Sequence, residues 1–157
     1  MQRPTPYKIT ETDVCLGDIL QLIQTSFAYM EDRIAPPSSM HRLSVPTIAK
    51  QCQFGEVWCI GAPLTACVFL TPKPDCLYLG KLAVASEVRG QGLARILVDH
   101  AVDRARALGL AAVELQTRVE LVENHAAFTR MGFARTGESA HPGYDRPTSL
   151  TMRRLVA

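Results

Sequence analysis

The chain has 157 residues, 47% hydrophobic and 20% charged, which is the size and composition of one globular domain rather than a disordered or fibrous chain. Seventeen Lys and Arg against fifteen Asp and Glu leave a net charge of +2, which makes no electrostatic case for nucleic acid or an anionic membrane and argues against a strongly charged substrate. No run approaches the roughly 18 apolar residues of a membrane span, MQRPTPYKIT lacks the apolar centre of a signal peptide, and five cysteines without a C-x-x-C pair suggest neither a disulfide framework nor a metal site, so a soluble cytoplasmic protein with buried free thiols is expected.

Tyr7 to Thr10 reads as a short extended segment. Thr12 or Asp13 can cap a helix from about Asp13 to Met30, in which Leu16, Ile19, Leu20, Ile23 and Phe27 recur at helical spacing. The stretch EDRIAPPSSMHRLS ends it, since Pro36 and Pro37 force a loop, and a shorter helix is expected over Val45 to Gln53. From Glu56 the runs EVWCIG, PLTACVFL and CLYLGKLAVAS are β-rich and separated by short turn-like gaps, which suits an antiparallel meander. A long helix follows to about Leu108, with Leu93, Ile96, Leu97 and Ala101 on one stripe and Gly109 at its end. Then come the strand AAVELQTR, a short helix near Glu123 to Met131 stopped by Gly132, the run FARTGES, a loop with Pro142 and Gly143, and a final strand TSLTMRRLV. His100 and His125 fall on helices and read as packing or surface residues. This order of elements allows a mixed α/β sheet with helices on its faces.

Val88 to Leu97 reads VRGQGLARIL, with Gly90 and Gly92 just before the long helix. A helix N-terminus has amides without intrahelical partners and a partial positive charge, and glycines would let an anion approach them. Spacing alone does not choose between such a cradle and a tight strand-to-helix turn. A dinucleotide fingerprint fails because Arg95 occupies its last glycine position, and a Walker loop fails for want of Gly-Lys-Ser/Thr.

The segment Arg89-Gly90-Gln91-Gly92-Leu93-Ala94 lies between the strand LGKLAVAS and a long amphipathic helix. It resembles the acyl-CoA loop of the GNAT superfamily of N-acetyltransferases, whose signature is Arg/Gln-x-x-Gly-x-Gly/Ala. Asn124, opening a short helix that ends at Gly132 and Phe133, resembles that family's second motif. The likeness covers the order of elements along nearly the whole chain, with the residue-level match between Leu77 and Phe133. It implies an α+β fold with a mixed, mostly antiparallel sheet of about six to seven strands flanked by about four helices. It also implies acetyl-CoA as co-substrate and a homodimer as a common assembly.

By the same resemblance, the amides of Arg89, Gly90, Gln91, Gly92, Leu93 and Ala94 hold a pyrophosphate. Main-chain groups of Leu82, Ala83 and Val84 pair with the pantetheine arm, and Asn124 contacts the cofactor. The implied reaction is direct attack by an amine on the thioester through a tetrahedral intermediate. Two departures stand out. Many members carry a tyrosine four residues after the Asn, where Phe128 has no hydroxyl, and water, Tyr78 or Tyr144 could donate instead. Some members place a glutamate early in the strand before the glycine loop, where this chain has Tyr78. The base is then sought among Glu31, Asp32 and His41 in the proline-containing loop, Glu114 on the next strand, and His141. That loop, with Ser38, Ser39, His41 and Arg42, is implied to form a wall of the acceptor pocket. The acceptor is expected to be a small-molecule amine. A catalytically weak acyl-CoA sensor, a protein or peptide amine as acceptor, and a different acyl donor stay open.

Overall fold

A computed structural model describes residues 4–30 and 32–156. Strand β1 (Tyr7–Ile9) leads to helix α1 (Leu16–Phe27), which buries Leu16, Ile19, Ile23 and Ser26 at helical spacing. The helix starts later than Thr12 or Asp13 suggests, because the Asp13 carboxylate is committed to a turn. It accepts from the Thr10 amide at 2.7 Å and the Thr10 hydroxyl at 3.1 Å, so α1 begins after Cys15 without a side-chain cap. Its expected last turn, Ala28–Met30, tightens into a 3₁₀ turn. Helix α2 (Val45–Phe54) starts from a capping box in which Ser44 and Thr47 serve each other's amides.

Strands β2 (Glu56–Ile60), β3 (Ala66–Pro72) and β4 (Cys76–Val84) form the meander. Helix α3 (Leu93–Ala107), strand β5 (Ala112–Arg118), helix α4 (Val122–Arg130), and strands β6 (Ala134–Ser139) and β7 (Ser149–Leu155) complete a seven-stranded sheet of order β1-β2-β3-β4-β5-β7-β6. Every neighbouring pair is antiparallel except β4 with β5.

Two features of β4 decide the shape of the molecule. Its parallel ladder with β5 holds only from Cys76 beside Ala112 to Tyr78 beside Glu114, after which the strands part. Against β3, Cys67 faces Ala83 but Phe69 faces Gly80, so three residues of β4 span the place of two, and Lys81 takes φ +48°. This is a β-bulge, and it reverses which side chains point to which face. Leu77 and Leu79 pack beneath α3 before the bulge; Leu82 and Val84 do so after it, while Ala83 joins the opposite core.

The core under α3 joins Leu93, Ile96, Leu97 and Ala101 to Val68, Leu70, Leu77, Val113, Leu115 and Met152. Leu97 is wholly buried there, so its truncation to Ala should cost about 2–5 kcal/mol. On the other face, Ile19, Ile23 and Ile48 cover Val57, Cys59, Cys67 and Phe69. Burial pushes the Cys67 thiol up to about 12, in keeping with an unreactive filler.

A polar staple fastens β2 to α3. Buried Glu56 receives Arg104 Nε at 2.9 Å and Nη2 at 2.6 Å, together with Trp58 Nε1 at 2.8 Å. Burial alone would raise this carboxyl, and the bonds from Arg104 and Trp58 reverse that, leaving it below the usual glutamate range. His100 meets Trp58 edge to face with ring centroids 4.0 Å apart, and its buried Nε2 has no hydrogen-bond partner among the described residues. Burial first, then Arg104, hold its pKa below the ordinary 6.5.

The unfolded chain therefore takes up the His100 proton at a higher pH than the native chain does, so stability falls as pH drops through about 6.5. His141 has a pKa lowered in the same direction and adds to that slope. Thermal midpoints between about pH 8 and about pH 5 should decline in the wild type and decline less in His100→Phe. Equal slopes would show that His100 charges without cost.

Candidate active site

Where β4 and β5 part, a cleft of 1410 Å³ opens. At one end it is lined by Leu82, Ala83 and Val84 of β4, by Arg89 and Ala94, and by Asn124 and Phe128 of α4. Beyond Tyr78 and Glu114 the β5-facing edge of β4 has no strand partner among the described residues; the Val84 carbonyl accepts the Ser26 hydroxyl at 3.3 Å, and the other main-chain groups of this edge face the cleft.

The glycine loop borders this end. Gly90 has φ +84° and Gly92 has φ +80°, a left-handed backbone that costs other residues roughly 1–2 kcal/mol. A Cβ built on either glycine would meet nothing within 4 Å, so the space above them is open. Gly92 is the N-cap of α3 and, unlike Ser44 before α2, provides no side-chain cap. The first amides of a 15-residue helix are thus left without a side-chain acceptor beside an open surface, which fits a phosphate group. Leu93 itself points into the core, and Gly90, Gln91 and Gly92 are exposed beside the cleft. The Arg95 guanidinium donates to the Arg130 carbonyl at 3.1 Å, fastening the start of α3 to the end of α4.

Asn124 and Phe128 lie one helical turn apart, and both line the cleft. The Phe128 ring meets Phe133 edge to face at 5.8 Å and supplies an apolar surface without a proton. His125 Nε2 lies 2.9 Å from the Arg118 carbonyl, so this imidazole links α4 to the end of β5.

The other end is closed by the segment between α1 and α2. Arg33 pairs with Glu123, the Ala35 amide donates to Glu120 Oε2 at 3.3 Å, and Arg118 Nη2 donates to the Pro37 carbonyl at 3.1 Å. Met30 and Ile34 pack on Leu121 beneath these bonds. The Arg33 guanidinium holds the Glu123 carboxyl down to about 2. The segment thereby spans the gap between the two halves of the sheet, and Pro36, Pro37, Ser38, His41 and Arg42 face the cleft. Asp32 is exposed and is not among the residues that line it; Glu31 and the side chain of Ser39 lie outside the described residues.

Tyr78 lines the cleft beneath this segment. Burial, then the neighbouring Glu114, raise its phenol above 10.0, and the Lys73 ammonium sits 4.5 Å over its ring. Glu114 is turned to Arg153, accepting from Nε at 3.1 Å while Nη2 of the same guanidinium reaches Asp75 at 2.9 Å; it offers no carboxylate to the cleft wall. His141 lines the cleft, with its main-chain amide 2.9 Å from Thr148 Oγ1 and its Nδ1 bonded to the same hydroxyl. Burial, then Arg118, lower its pKa. Tyr144 is half-buried nearby, outside the cleft lining.

Sequence reasoning does not find Lys81, Arg118, Gln51, Thr71 or Gln116, all of which line the cleft. Lys81 had a readable signal. The apolar alternation Leu77, Leu79 resumes as Leu82, Val84, one residue out of step, which marks a bulge at Gly80 and Lys81.

Residues 27–133 match the model of the Acetyltransferase (GNAT) family. An IAA acetyltransferase of Azospirillum brasilense is 30% identical over 138 residues, covering 87% of this chain and 89% of its own length. Among solved structures, the IAA acetyltransferase from Bacillus cereus superposes with a TM-score of 0.69 at 17% identity, over 98% of this chain and 99% of its own. A PaiA N-acetyltransferase from Thermoplasma acidophilum in complex with coenzyme A reaches a TM-score of 0.81 at 11% identity, over 98% of this chain and 99% of its own. The solved structures share the fold, and the family match spans well over half of the chain, from the end of α1 to Phe133. This protein is therefore an acyltransferase of the GNAT family of acetyltransferases.

Proposed function

We propose that the enzyme transfers an acetyl group from acetyl-CoA to the primary amine of a small molecule. The observation that carries this reading is the uncapped, glycine-opened start of α3 at the mouth of a cleft whose far end is roofed by the α1–α2 segment. In this reading the amides from Arg89 to Ala94 hold the pyrophosphate, the free edge of β4 from Leu82 to Val84 pairs with the pantetheine arm, and Asn124 steadies it. Acetyl-CoA supplies an activated thioester. Main-chain donors on the β4 edge, aimed at the carbonyl oxygen, are the kind of group often worth about 10² to 10³ in rate.

An aliphatic amine with a pKa near 10.4 is only about one part in 2,500 neutral at pH 7, so a proton must leave it. His41 and His141 are the imidazoles that line the cleft. His141 is half-buried, and its lowered pKa keeps it neutral at physiological pH. With the Thr148 hydroxyl proton directed to the Ser139 carbonyl at 3.4 Å, Nδ1 carries the imidazole proton and Nε2 is left as the acceptor. Tyr78 stays protonated at neutral pH and is a neutral donor in the cleft. The departing thiol, with a pKa near 8.5, needs little help from the Phe128 position. A second reading, an acyl-CoA sensor without turnover, draws its support from that same missing hydroxyl.

Saturating acetyl-CoA, at about 100 times its dissociation constant, should raise the thermal midpoint by about 5–10 °C, and Gly92→Glu should abolish most of that shift. A shift unaltered by Gly92→Glu would remove the pyrophosphate from the glycine loop. CoA release with an amine panel then separates enzyme from sensor: binding without release favours the sensor.

In the enzyme, kcat should rise with pH through an ionisation below 6.5, because only neutral His141 can accept a proton. His141→Gln should lower kcat by about 10²-fold or more and remove that limb. A limb that persists in His141→Gln and vanishes in His41→Gln would move the base to His41.

A further inference from the structure

The cleft has a charge pattern that the net charge of the chain conceals. Its charged lining residues are Arg42, Lys81, Arg89 and Arg118, and among the described residues no Asp or Glu lines it. Arg89 belongs to the glycine-loop end, while the other three surround the roofed end. Arg118 and Lys81 reach this place by different routes. On β5, Val113 and Leu115 point under α3, so the pleat turns Arg118 to the opposite face. On β4, the bulge sets Lys81 in the cleft lining.

Arg118 carries the clearest sign of an absent partner. Its Nη2 donates to the Pro37 carbonyl, while Nη1 is buried without a hydrogen-bond partner among the described residues. Glu120 is the carboxylate whose charge reaches Arg118, yet its Oε2 accepts from the Ala35 amide and its buried Oε1, like Arg118 Nη1, has no hydrogen-bond partner among the described residues. Burial, then Arg42 and Arg118, lower the Lys81 ammonium, so the three cations stand within range of one another. A buried guanidinium nitrogen with no acceptor is costly unless a ligand supplies one, and a carboxylate matches guanidinium geometry.

We infer that the acceptor amine also carries a carboxylate, seated on Arg118 with Arg42 and Lys81 beside it, so that the substrate class is a free amino acid or a comparably compact amino-carboxylic acid. This rests on the proposed transfer to a small amine and narrows it. Arg118 acts as a specificity residue: the carboxylate is held across the wedge from β4, and the amine is left to face the β4 edge.

The test measures CoA release for the protein amino acids and β-alanine, each against its own carboxamide, with rates compared per neutral amine because amidation lowers the amine pKa. Wild type should favour accepted acids over their carboxamides by about 10- to 100-fold in kcat/KM, mostly through KM. Arg118→Gln should bring that ratio close to one, and Arg118→Lys, which keeps the charge, should retain an intermediate preference. Wild type that treats acid and carboxamide alike overturns the inference. So does a ratio that Arg118→Gln leaves unchanged while both rates fall, since that outcome means Arg118 only fastens Pro37. Calorimetry of the same acids on CoA-loaded protein separates the two readings. Arg118-dependent binding without CoA release keeps the carboxylate seat and removes the transfer. Efficient acetylation of amines that lack a carboxylate, without preference for acids, keeps the transfer and removes the seat. Acids that neither bind nor react overturn the seat.

Discussion

One extra residue in β4 governs the working end of this molecule. A strand that continued in register would direct Lys81 toward the apolar layer under α3, where an ammonium has no counter-charge. The bulge instead places Lys81 at φ +48° in the cleft lining and returns Leu82 and Val84 to the apolar layer. The Cys67 thiol donates to the Lys81 carbonyl at 3.7 Å, so part of the irregular backbone is satisfied from the neighbouring strand. The same stretch is where β4 has left β5, and the two irregularities coincide because a bulge bends and twists its strand.

A sheet split in this way needs closure from elsewhere. On the α3 side, continuous packing from Leu70 to Met152 bridges the halves. On the other side the bridge is the α1–α2 segment, held by Arg33 with Glu123, Ala35 with Glu120, and Arg118 with Pro37. An exposed ion pair such as Arg33 with Glu123 contributes little alone. Its value here is positional, since these bonds and the Met30, Ile34 and Leu121 cluster fix one short segment over one opening.

How far the sequence reveals this depends on the range of each interaction. Element order was legible because the stripe of Leu93, Ile96, Leu97 and Ala101 and the apolar strand runs are local patterns answered by burial. The start of α1 was not, because Asp13 can cap a helix or close a turn with Thr10, and spacing favours neither. The glycine loop was legible as an opening before a helix, yet its geometry needed the φ values of Gly90 and Gly92. Arg118 was invisible as a cleft residue because its neighbour Pro37 lies far away in the chain. The net charge of +2 likewise averages over the whole chain, whereas a cleft responds to the few charges within several ångströms.

That local field also bears on the missing glutamate and the tyrosine replaced by Phe128. A carboxylate near the acceptor would favour its ammonium form and then have to remove the proton. A cationic cleft acts earlier, by disfavouring the ammonium itself. Lys81 shows the direction of this effect: its own amine is lowered by burial, Arg42 and Arg118 in the cleft that, in the proposed function, the substrate amine enters. A substrate carboxylate that neutralises Arg118 leaves Arg42 in the cleft lining to oppose a positive charge on the amine. In the proposed reaction the demand on the base falls accordingly, which eases the transfer to a neutral imidazole such as His141. The cations that select the acid would thus also help to prepare the amine.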